Sequence, residues 1–142
     1  MTQAKSTETT TNAKYKMAIY TFDTSFNSIQ PLTSNLTTAK NAASNIQLLE
    51  VYSNNYLTKT SNNNDTDTDF SDAMSGINAV MPNPGGGTQA KGDSPQEVLF
   101  VVTDGVEDAM VNGNRVQALM DTSWCTTVKN RGIRIAVLYT QY

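Results

Sequence analysis

The order of patterned segments predicts a single α/β layer fold: a strand, a hairpin partner, two helices, a strand, a helix and a strand. Two observations carry this reading. Apolar runs at Val98–Val102 and Ile133–Tyr139 bracket a segment with helical spacing, which makes a βαβ unit. Two earlier segments repeat apolar residues every three or four positions, as an amphipathic helix does. The 142 residues are the size of one domain, long enough to bury a core.

Tyr15–Phe22 (YKMAIYTF) is rich in apolar and aromatic residues, stops at Asp23, and reads as a mostly buried strand. Asn27–Leu32 (NSIQPL) reads as its partner, and Pro31 confines that strand to an edge or an end. A tight reversal over Asp23–Phe26 makes the two a hairpin. Ala42, Ile46, Leu49, Tyr52 and Tyr56 then share one helical face, so a helix is expected to about Leu57, with Thr37 or Thr38 as N-cap. Thr58–Asp69 is too polar to pack and reads as a loop.

Phe70, Ala73, Ile77 and Val80 mark a second helix, stopped by Pro82. Pro82–Pro95, with Gly85–Gly87 inside it, reads as a long flexible connection. In Gln96–Asp104 (QEVLFVVTD), five consecutive apolar residues from Val98 to Val102 predict a strand buried on both faces, as in a parallel sheet covered by helices. A helix is expected from Asn114 to Asn130 on the stripe Val116, Met120, Trp124 and Val128, closed by Gly132. Ile133–Tyr139 (IRIAVLY) is the final strand, and a βαβ unit of this kind is right-handed.

Composition removes several function classes. Hydrophobic residues make up 38% and charged residues 16%, and Thr, Asn and Ser fill the difference, most densely in Thr2–Asn12 and Thr58–Asp69. The formal net charge is −3 and the isoelectric point about 4.7, which argues against a polyanion-binding surface and so against nucleic acid as a partner. With no His, neither a Ser-His-Asp nor a Cys-His site can be built, and the commonest zinc ligand is missing. Cys125 is the single Cys, read either as a buried small residue on a helix or as an odd Cys whose partner lies outside the sequence. No run is long and apolar enough to span a membrane, and Met1–Lys14 lacks the apolar core of a signal peptide. Residues 1–14 are therefore expected to be a disordered polar lead into one domain over residues 15–142.

Thr103-Asp104-Gly105 is the sharpest chemical feature, because ligands of open α/β sheets bind at the carboxyl ends of the strands. A carboxylate emerging there, followed by Glu107 and Asp108, fits a hard-cation site. The competing reading is an Asp-Gly turn in which Asp104 only caps the chain reversal. Gly85 to Gly92 (GGGTQAKG) has the flavour of a phosphate-binding loop, but Ala90 and Gly92 stand where Gly and Ser or Thr belong, and no strand leads in. Asn35-Leu36-Thr37 and Asn64-Asp65-Thr66 fit glycosylation sequons, which arise by chance in an Asn- and Thr-rich chain.

The string VLFVVTDGVED resembles the fourth strand of von Willebrand factor A domains. KNRGIRIAVLYTQY resembles the next strand of TadG-type tight-adherence pilus assembly proteins, whose carboxyl-terminal region is such a domain, and KYKMAIYTFDTS resembles their second strand. The resemblance covers most of the chain from about Tyr15. It implies a three-layer, doubly wound, mainly parallel sheet. It also implies a magnesium ion held by a DxSxS motif after the first strand, a Thr before a helix, and the Asp of the fourth strand. Asp104 matches that Asp. The Thr pattern fits Thr68-Asp69-Phe70-Ser71-Asp72-Ala73-Met74, which places the role on Thr68, with Thr66 as the runner-up.

The DxSxS motif is where this chain departs from the pattern. Asp23-Thr24-Ser25-Phe26-Asn27 is the near match, but Asn27 replaces the second Ser and the string follows the second strand, so it reads as a strand end and its turn. The first strand, which lies mid-sheet in this family, and the sixth strand with its closing helix are expected outside the sequence, making this a partial domain. Two side chains hold Mg2+ weakly or not at all, because the ion demands near-octahedral coordination.

The implied function is a non-enzymatic adhesion or assembly module of a bacterial cell-envelope pilus system. A protein partner supplies a carboxylate as the last metal ligand. The chain would lie on the periplasmic or extracellular face, reaching the membrane only through an N-terminal anchor of its parent. Two alternatives stand beside it. One is a structural envelope piece with a degenerate metal site. The other is a receiver-like or nucleotide-binding α/β domain with Asp104 as nucleophile or acid, for which Lys129 lies at the wrong edge.

Overall fold

A computed structural model describes residues 15–46, 68–88, 90–103, 105–112 and 114–140. The chain is mixed α/β, with three small sheets and three helices among the described residues. It divides into two compact units, Met1–Thr66 and Asp67–Tyr142.

In the first unit, β1 (Met17–Phe22) pairs antiparallel with β2 (Phe26–Thr33). The expected hairpin is present, and residues 23–25 make its turn: Asp23 Oδ1 accepts the Ser25 amide at 2.9 Å. The Tyr20 and Phe26 rings stack across it, 4.8 Å apart. Pro31, with no N–H to give, sits where the register slips, between the pairs Met17↔Thr33 and Ile19↔Gln30. Helix α1 (Leu36–Ser44) follows and buries Leu36 and Ala39 against the hairpin. Its N-cap is Asn35, whose side chain accepts the Thr38 amide at 3.1 Å, and not Thr37 or Thr38. Asn is the stronger cap, and starting there turns Leu36 inward. The helix closes at Asn45, short of the expected length, and leaves Ile46 past its end and exposed; Leu49, Tyr52 and Tyr56 lie outside the described residues.

The second unit opens with α2 (Phe70–Val80), where Phe70, Ala73 and Ile77 are buried as their spacing predicts, joined by Met74, while Val80, expected on the same face, is exposed at the helix end. Asp69 caps its start by accepting the Asp72 amide at 2.8 Å. The helix ends where Met81 turns extended (ψ 129), as the residue before a proline must. β3 (Val98–Thr103) pairs parallel and without a break with β6 (Arg134–Tyr139), from Val98↔Arg134 to Thr103↔Tyr139. The parallel pairing is as expected.

Burial of β3 on both faces is not. Its residues alternate, and Phe100 is 72% and Val102 59% exposed. Among the described residues the pair stands as a two-stranded sheet, and Val98, Phe100 and Val102 share the face that stays open.

The crossover between β3 and β6 also differs from expectation. The predicted helix from Asn114 to Asn130 is instead a hairpin, β4 (Glu107–Val111) with β5 (Asn114–Ala118), followed by α3 (Thr122–Asn130). The reason is local. Val111 pairs with Asn114, and Asn112 takes φ 50, the left-handed conformation that tight hairpins need. Asp121 then starts the helix by accepting the Ser123 amide at 2.8 Å. The four-residue spacing of Val116 and Met120 was compatible with a helix, but the turn and the cap override it. Trp124 and Val128 do belong to α3, which packs on β6 and α2, and Val128 is fully buried. Gly132, at φ 84, closes α3 as expected, with its amide on Lys129 O at 2.8 Å. Val128 and Ile133 join the α2 residues and Ala109 in the core of this unit.

Candidate metal centre

Thr68 is held by its backbone. Its amide donates to Asp108 O at 2.6 Å and its carbonyl accepts the Asp108 amide at 3.0 Å, an isolated antiparallel bridge. Asp108 lies in β4, four positions after Asp104. At the end of β3, Thr103 Oγ accepts the Gly105 amide at 3.3 Å and Thr103 O accepts the Thr140 amide at 2.9 Å. Asp104 itself, like Thr66, lies outside the described residues. The segment before α2 is thus tied to the segment that leaves β3, and four residues of chain span at most about 14 Å.

The electrostatics of this edge are acidic. Burial of the Glu107 carboxyl raises its pKa, and the charges of Asp69 and Asp121 raise it further. The Asp121 carboxyl is pulled down by its bonds to Ser123. Asp69 and Asp121 cap α2 and α3, so their charges oppose the positive ends of both helix dipoles. Among the described residues no three His, Cys, Asp or Glu side chains converge as metal ligands. Asp69 and Asp121 were not singled out from the sequence. The signal was there, an Asp directly before a helical run in each case.

The other sequence candidates resolve plainly. Asp23 serves the β1–β2 turn, as read, with Asp23 Oδ1 also accepting the Thr24 hydroxyl at 3.4 Å. Asn35 of the first sequon is spent as a helix cap, and Asn64 lies outside the described residues.

The glycine-rich connection is not the loose tether expected. Asp93 organises it: Oδ1 accepts the Gly86 amide at 2.7 Å, and Oδ2 accepts the Thr88 amide at 2.7 Å and the Thr88 hydroxyl at 2.6 Å. Gly85 and Gly87 amides reach Pro95 O and Ser94 O, and Gln96 Nε2 donates to Gly86 O. Gly85 leaves no room for a side chain, since a Cβ there would meet Ser94 O at 2.3 Å. Amides that cradle phosphate in a nucleotide loop here hold the chain's own carboxylate. Cys125 is half-buried and lines an apolar cavity of about 210 Å³ with Phe70, Met74, Val101 and Ile135.

Comparison with family models, curated proteins and solved structures finds no match. No helix among the described residues is long and apolar enough to cross a membrane.

Proposed function

We propose that the chain is a von Willebrand factor A-like adhesion or assembly module of a cell-envelope pilus system, non-enzymatic, with a three-layer doubly wound fold. Asp104 and Thr68 share a Mg2+ ion, and a carboxylate from a protein partner completes its coordination. The bridge between Thr68 and Asp108 is the observation that carries the reading, because it ties the Thr-bearing loop to the segment just beyond Asp104. The unbroken parallel pairing of β3 with β6 supports it, since an acidic residue following β3 leaves the sheet at its carboxyl edge, where ligands of α/β folds bind.

Two protein side chains leave most of the octahedron to water, so this chain alone holds Mg2+ weakly. Calorimetric titration of Mg2+ into the chain is expected to give at most a weak isotherm, lost in both Asp104→Ala and Thr68→Ala. Binding that persists unchanged in both variants retires the metal mechanism.

A further inference from the structure

We draw no further inference here: the strongest candidate, the open apolar face of the β3–β6 sheet bearing Val98, Phe100, Val102 and Leu138, carries nothing because nothing in the structure shows what covers it.

Discussion

Asp93 shows how one side chain can give shape to a polar stretch that composition reads as slack. Its hydroxyl bond from Thr88, then the amides of Thr88 and Gly86, lower its pKa from 3.8 to about 2. A carboxyl depressed in the fold stabilises it above the unfolded pKa, and that contribution is lost as pH falls through the folded value. The Gly86 and Thr88 amide resonances are therefore expected to shift together with a midpoint near pH 2, and Asp93→Ala should abolish the transition. Amides that titrate near 4 would mean that the carboxylate is not held. The sequence marks Gly86 and Thr88 as part of a glycine-rich string but not their bond to Asp93, because five to seven residues separate Asp93 from them and no short-range pattern marks the pairing. Asp23, whose partner Ser25 lies two residues away, is the kind of contact a sequence does reveal.

Among the elements, α2 is legible in its spacing and its stop, with Phe70, Ala73 and Ile77 inward and Pro82 after; its Asp69 cap and the exposure of Val80 are not. In the β5–α3 region four-residue spacing points to one long helix, but the Asn-Gly pair is the stronger short-range signal and a hairpin forms. The end of α2 depends on a residue fifty positions away. Arg131 Nη1 donates to Asn78 Oδ1 at 2.7 Å and to Asn78 O, while Nη2 donates to Met81 O at 2.6 Å. These bonds satisfy carbonyls that a helix end leaves without intrahelical partners. Arg131→Met should destabilise the fold by about 1–3 kcal/mol, read as a lower urea midpoint at unchanged slope. A midpoint equal to that of the parent chain would show that solvent serves those carbonyls as well.

At the scale of the molecule, the parallel β3–β6 pair is visible in two apolar runs, but the hairpin within its crossover and the covering of those runs are not. Apolar content shows that a strand can be buried; it does not show which elements cover it. Parallel sheets are ordinarily covered on both faces, yet Val98, Phe100 and Val102 face outward here. Phe100→Ser is accordingly expected to change stability by no more than about 0.5 kcal/mol, as at other exposed positions. Val128→Ala, at a site with 0% exposure, should cost about 2 kcal/mol for the lost methyl groups and the cavity they leave. Thermal melts of the two variants side by side decide the point, and a larger loss from Phe100→Ser would mean that this face is covered in solution.

The candidate site is legible as a motif, Thr103-Asp104-Gly105, while the loop around Thr68 enters only through the resemblance to von Willebrand factor A domains. Their tie through Asp108 is not legible, since it joins segments forty residues apart. Paramagnetic broadening by Mn2+, added in place of Mg2+, measures that proximity directly in solution. The amides of Thr68 and Gly105 should broaden first and together, and Asp104→Ala should remove the effect at both. Broadening that reaches Gly105 and spares Thr68, or that survives Asp104→Ala, would contradict a shared cation.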